Sequence, residues 1–194
     1  MKKLFIALPV IILFIAGFLV QDNTKLPKGW FAAGSNPSEY EVGIDNSLFQ
    51  DGKSSAYIKS KKPKTNEFGT LMQYIDAGNY VEKRLRLSGY IKSDAVEGWS
   101  SMWMRIDGDM GKQLGFDNMR GRTIHGTTDW KKYEIVLDVP SGSVGIAFGV
   151  ILGGKGKVWF DNMKLEVVNN SVPVTNLVKE PDYPKMPVNL NMEE

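Results

Sequence analysis

Two indoles, a guanidinium and a carboxylate alternate with apolar residues along Trp99-Ser-Ser-Met-Trp103-Met-Arg105-Ile-Asp107. In an extended strand, successive side chains point to opposite faces. Met102, Met104 and Ile106 therefore share one face, which reads as core, while Trp99, Ser101, Trp103, Arg105 and Asp107 share the other. That second set suits a sugar, whose C–H patches sit on aromatic faces and whose hydroxyls need directional partners. Gln73 has the parity of Leu71 and Ile75, and either joins this face or stands as a polar residue at a sheet edge. Gly145, Ala147 and Gly149 lie opposite Ile146 and Phe148, and residues so small would leave room beside the indoles. His125, in Thr-Ile-His-Gly-Thr, reads as a loop residue at a binding rim or as simply exposed. The competing reading is that Trp99 and Trp103 pack beneath a covering loop.

Most catalytic arrangements lack their residues here. The chain has no Cys, one His and no Gly-x-Ser-x-Gly turn, so the usual nucleophile–base pairs and zinc sites are missing. Gly149-x-x-x-x-Gly154-Lys155 imitates a phosphate loop, but Gly156 stands where Ser or Thr is required, between two strand-like runs. Asp107-Gly-Asp109-Met-Gly111 imitates a calcium loop, but Asn118 stands where Glu is required. No pair among the 22 acidic residues is singled out for glycosidic chemistry. The expectation is a protein that binds and does not catalyse.

The elements that must position these residues are strands. From Trp130 to Val168 apolar side chains recur at every second residue, in runs Trp130–Val139, Val144–Leu152 and Lys157–Val167. Gly, Pro or Ser clusters separate them, the pattern of consecutive half-buried antiparallel strands. Further candidates are Glu39–Asp45, Ser54–Ser60, Phe68–Ile75, Arg84–Lys92, Trp99–Asp107 and Gln113–Asn118. About nine strands with no credible helix predict an all-β antiparallel sandwich or jelly roll over residues 24–168. Thr24–Gly34 reads as an irregular lead-in carrying Trp30 and Phe31. Asn169–Glu194, with four prolines, reads as a flexible tail.

Residues 1–20 stand outside this pattern. Lys2 and Lys3 precede an uncharged apolar run, Leu4–Val20, which is the composition of a secretory signal or a membrane anchor helix. In either case the remainder is expected outside the cytoplasm, secreted or anchored, because the lysines stay inside. Of 24 Lys and Arg, only those two fall in this segment, so the rest is balanced against 22 Asp and Glu. A nucleic-acid partner is not expected of so neutral a chain.

Several marks occur together in order: Gly29-Trp30, Gly52-Lys-Ser-Ser-Ala-Tyr57, Gln73 with Tyr80, Leu87-Ser-Gly-Tyr-Ile-Lys92, Thr128-Asp-Trp130-Lys-Lys-Tyr133, Val139-Pro140 and Gly156-Lys-Val-Trp-Phe-Asp161. Together they resemble the CenC-like carbohydrate-binding modules, a jelly-roll family with a galactose-binding-like sandwich. The resemblance implies a ligand cleft on the concave sheet face and a partner that is a carbohydrate, free or in a cell-envelope polysaccharide. Related domains without proven sugar binding leave a protein partner or a sensory role as the alternative.

Strict alternation places Asp161 beside Trp159, Met163 and Leu165, on the side expected to be core. An inward carboxylate must be paired, hydrogen-bonded or bound to a cation. The resemblance implies a structural calcium there, with Asp161 as ligand and Glu41 or Asp45 as partners. The alternatives are a bulge that turns Asp161 outward, or hydrogen bonds to a neighbouring turn. Such modules also open with a strand resembling Asn-Leu-x-Phe-Glu, which Gln21–Pro27 does not supply. Asn189-Leu-Asn-Met-Glu-Glu194 resembles it, and either pairs at the vacant sheet edge, in cis or on a neighbouring molecule, or is the start of a lost second module.

Overall fold

Nine strands run through the residues that the computed structural model describes, 26–175, 186–187 and 189–192. They are β1 (Phe31–Gly34), β2 (Tyr40–Asp45), β3 (Ser55–Ser60), β4 (Phe68–Asp76), β5 (Lys83–Gly108), β6 (Gln113–Asp117), β7 (Ile124–Val139), β8 (Ser143–Gly153) and β9 (Lys157–Val168). The apolar run at 1–20 lies outside the described residues, among which no helix is long and apolar enough to cross a membrane. The strands pair antiparallel in the order β1-β4-β8-β5-β9-β3-β2, with β6 and β7 also on β5.

The all-β expectation holds, with changes in its elements. The strand expected from Trp130 begins at Ile124, so His125 lies in β7 and not in a loop. Two further differences concern β5 and β1. The strands expected at Arg84–Lys92 and Trp99–Asp107 are one continuous strand of 26 residues. Its first part pairs with β7 and β9, and its last part with β8 and β6. Between them, Ser93–Trp99 bends through three register shifts against β7, with Ala95 at φ 48°. That bend lets one strand serve both layers of the sandwich. The second of these is β1, whose Phe-Ala-Ala-Gly has little strand propensity of its own and forms because β4 offers it an unpaired edge.

The core lies between the layers. Leu71, Met102, Met104, Ile106, Ile146, Phe148, Val150 and Leu152 contribute from one side. Ile58, Leu85, Leu87, Ile91, Ile135, Leu137, Val158 and Phe160 contribute from the other. Each such side chain stabilises by about 1.5–3 kcal/mol when fully buried. Trp30 closes one end, its ring 6.1 Å from that of Phe148 and 5.4 Å from that of Phe160. The lead-in segment is thus part of the core.

Alternation is also interrupted in β9, at a consequential place. Val158 and Phe160 point into the core, so Trp159 and Asp161 point out. Asn162 then adopts φ 51°, a left-handed conformation that Asn tolerates better than most residues, and the parity resets so that Met163 and Leu165 reach the core. Asp161 is therefore not inward. Its Oδ2 accepts from the amides of Gln50 (2.9 Å) and Asp51 (3.1 Å), and its Oδ1 from that of Asn162 (2.7 Å). One carboxylate pins both the bulge and the β2–β3 loop.

The chain after Val168 is held for some distance. Arg84 makes a two-pronged ion pair with Asp138 and donates to the carbonyls of Asn170 and Val172, both at 2.6 Å. Thr175 exchanges hydrogen bonds with Val136 of β7. Residues 189–192 form an exposed turn in which the Met192 amide donates to Asn189 O, and they are not part of a strand. Within this chain the described residues 189–192 are not paired at a sheet edge, whereas Thr175 hydrogen-bonds to Val136 of β7.

Replacing Asp161 by Ala strands three backbone donors, and unfolding in urea is expected to show a loss of about 1–3 kcal/mol. Asp161→Asn, which keeps one acceptor oxygen, should lose less.

Candidate functional site

The outward face of β4, β8, β5 and β6 carries most of the side chains expected to bind. Register places Trp99 opposite Gly153, Trp103 opposite Gly149, Arg105 opposite Ala147 and Phe116, and Asp107 opposite Gly145. Residues facing each other across antiparallel strands share a face, so Trp99, Trp103, Arg105 and Asp107 lie on one surface. Gln73 does not join them. It pairs with Phe148, whose side chain is core, and its amide nitrogen lies 3.8 Å from where a Cβ on Gly29 would stand. Gln73 therefore belongs to the opposite side, beneath the lead-in segment.

The middle of the face is closed. Trp103 is only 9% exposed, packed with Met72, Ala147, Ala33, Phe116 and Ile151. Its Nε1 donates to Thr70 Oγ1 at 2.9 Å, and that hydroxyl donates to Val150 O at 2.7 Å. An indole with its polar edge satisfied inside the protein is a floor and not a platform. The room expected beside the glycines is also filled. A Cβ on Gly153 would stand 2.6 Å from the Trp99 ring, and one on Gly145 only 1.9 Å from the Tyr74 hydroxyl. Both rings lie flat across the strand, and only glycine allows that approach.

The two ends of the face are open. At one end, Trp99, Phe116, Asn118, Arg120, Thr123 and His125 line a cleft of about 640 Å³. Trp99 comes from β5, Phe116 from β6 and His125 from the start of β7. The imidazole is fixed at both nitrogens: Nδ1 is 2.6 Å from Gly98 O, and Nε2 is 2.8 Å from Thr123 Oγ1. Because a carbonyl can only accept, Nδ1 carries a proton, and in the neutral ring the threonine hydroxyl donates to Nε2. His125 is thus a braced wall.

At the other end, Tyr74, Arg105, Asp107, Asp109, Gln113 and Val144 border a second cleft of about 460 Å³. Arg105 donates to Asp107 through Nε (2.6 Å) and Nη2 (2.9 Å), a planar two-pronged pair. Tyr74 is 50% exposed. The six-residue step from Trp99 to Arg105 separates the clefts by about 20 Å along the strand.

The expected site residues therefore divide. Trp99 and His125 meet in one cleft, Arg105 and Asp107 in the other, Trp103 is buried, and Gln73 lies elsewhere. Phe116, Asn118, Arg120 and Thr123 went unnoticed in the sequence. Phe116 and Asn118 share the parity of a strand that was expected, whereas Arg120 stands in a turn that nothing in the sequence connects to Trp99.

The residues suggested for calcium hold other partners. Asp161 accepts the three amides described above. Glu41 accepts from the Tyr57 hydroxyl at 2.5 Å. Asp45 accepts from Ser47 Oγ (2.6 Å), Ser47 N (2.9 Å) and Trp159 Nε1 (2.8 Å), and pairs with Lys157, whose ammonium lies over the Tyr57 and Trp159 rings. No three Asp, Glu or His side chains form a metal-sized cluster among the described residues.

With the geometry in view, its likeness to known proteins is informative about fold. No family model matches the chain. A relative from Bacillus subtilis (strain 168), the uncharacterised HTH-type transcriptional regulator YbfP, is 47% identical over 171 residues. The match takes in 88% of this chain but only 58% of that protein. Among solved structures, the CBM22-1 xylan-binding domain of Paenibacillus barcinonensis Xyn10C superposes with a TM-score of 0.53 at 16% identity, over 72% of this chain and 86% of that one. A cyclase from Fischerella sp. TAU gives 0.55 at 18%, over 75% and 87%. The enzymatically active domain of bacteriophage CBA120 tailspike protein 4 gives 0.57 at 14%, over 73% of this chain and 20% of that one. The fold is thus a β-sandwich of a kind that a xylan-binding domain, a cyclase and a tailspike domain all use, so the likeness speaks to fold and not to chemistry.

Two measurements follow from these side chains. Trp103→Ala is expected to cost about 3–5 kcal/mol in urea unfolding, as for other buried aromatics. Asp45 is held below the usual carboxylate range, first by the Ser47 hydroxyl, then by the Trp159 indole, the Ser47 amide and the charge of Lys157. A lowered folded pKa gives stability that is complete above the unfolded value of about 3.9 and is lost as pH falls through the folded one. Asp45→Asn should therefore lose less stability than the wild type when the pH is lowered from about 4 towards 2.

Proposed function

We propose that this chain is a non-catalytic, extracytoplasmic carbohydrate-binding module whose ligand sits in the Trp99 cleft. The observation that carries the reading is the cleft itself. It is walled by an indole and a phenyl ring, bordered by the amide, hydroxyl and guanidinium of Asn118, Thr123 and Arg120, and about 640 Å³ in volume. That size and mixture fit a small-ligand site. A pyranose ring would lie on Trp99 by its C–H face, and the polar groups would take its hydroxyls. Few contacts in an open cleft imply modest affinity. The name of the xylan-binding neighbour supports the ligand class, and the Lys2–Lys3 pair ahead of Leu4–Val20 supports the location. The CenC-like group remains the family that the motifs favour.

A second reading has its own support: the relative at 47% identity is named a transcriptional regulator. On that reading the fold serves as a sensory or protein-interaction domain with no sugar ligand.

Calorimetric titration of the chain against soluble oligo- and polysaccharides, with and without calcium, separates the two. Binding is expected in the wild type and lost in Trp99→Ala, with that variant still unfolding cooperatively. Silence of the wild type across the panel would move the assignment to the second reading.

A further inference from the structure

Charge is distributed unevenly between the two ends of the binding face. The distal cleft holds Asp107 and Asp109, and its arginine, Arg105, is already neutralised by Asp107. No carboxylate lines the Trp99 cleft. Its one formal charge is that of Arg120, an exposed side chain that makes no hydrogen bond or ion pair with any described residue. Nearby cations are spent. Arg122 is paired with the buried Asp117 and donates to Glu134 O at 2.9 Å, and Lys155 pairs with Glu97 at 2.6 Å. The lining of the Trp99 cleft therefore carries a net positive charge from Arg120, although Lys and Arg nearly balance Asp and Glu in the chain as a whole.

We infer that the Trp99 cleft takes an acidic glycan, with one sugar stacked on Trp99 and its carboxylate on the guanidinium of Arg120. Arg suits this part because its planar fork matches a carboxylate through two parallel N–H donors. The acidic distal cleft repels a second carboxylate, so the ligand has a preferred direction along the face. This inference rests on the carbohydrate-binding reading and adds the ligand's charge to it.

The test uses the whole chain and tetramers of galacturonate and of mannuronate, each beside its methyl ester, which keeps the sugar rings and removes the charge. Calorimetry at low and moderate salt is expected to show at least one acid bound about tenfold or more tighter than its ester. That preference should shrink as salt rises. In Arg120→Gln the acid should fall to the affinity of the ester, with an unchanged melting temperature. Equal binding of acid and ester by the wild type would overturn the inference and leave the module reading standing. A preference that survives Arg120→Gln would do the same, as would binding of neutral glycans alone. Displacement of the acid by millimolar inorganic phosphate would also overturn it, by making the cleft a bare anion site. Silence towards every glycan, acidic or neutral, would remove both.

Discussion

The geometry of this domain depends on one strand that hydrogen-bonds in both layers. β5 has neighbours on each side over two stretches: β7 and β9 along Arg84–Asp94, and β8 and β6 along Met104–Asp107. A strand shared in this way fixes the relative position of the two layers covalently. The bend at Ser93–Trp99 is where that constraint is met. It puts Trp99 at the hinge, with Gly98 and Gly153 packed so closely that a Cβ on Gly98 would lie 2.1 Å from the Gly153 carbonyl oxygen. The same bend carries the Gly98 carbonyl that braces His125. The cleft at Trp99 is thus a by-product of joining two layers with one strand.

Packing then decides which aromatics are left for a ligand. Trp103 and Trp99 share a strand and a face, yet they differ in what lies over them. Trp103 is flanked by β1 through Ala33 and by β6 through Phe116, and its indole nitrogen finds Thr70. Trp99 lies beyond the reach of β1, over Gly153, with one side towards solvent. A four-residue strand of weak propensity, formed because β4 had a free edge, accounts for much of that difference.

The polar residues follow the same logic. Asp161, Asp45, Asp117, Asp138 and Asp107 each accept two or more hydrogen bonds, and Arg84, Arg105 and Arg122 each answer a carboxylate. These groups hold loops, a bulge and the chain after Val168 in place. Capacity for a ligand resides in what is left uncommitted, and at the Trp99 cleft that is a ring face and a guanidinium.

The amino-acid sequence alone determined the all-β class, the approximate positions of most strands and the face shared by Trp99, Trp103, Arg105 and Asp107. Those are properties of period-two alternation, which the backbone geometry of an isolated strand enforces. It did not determine that two expected strands are one, since a bend with register shifts has no periodic signature. Nor did it place Asp161, because a single left-handed residue at Asn162 reverses parity and sequence alternation counts straight through it. Tertiary structure alone decided that Trp103 is floor and Trp99 is wall, that Gln73 faces away, and that Arg120 and His125 stand beside Trp99. Each of those outcomes depends on contacts between residues far apart in the chain, and the pattern within one strand carries no record of what will pack across it.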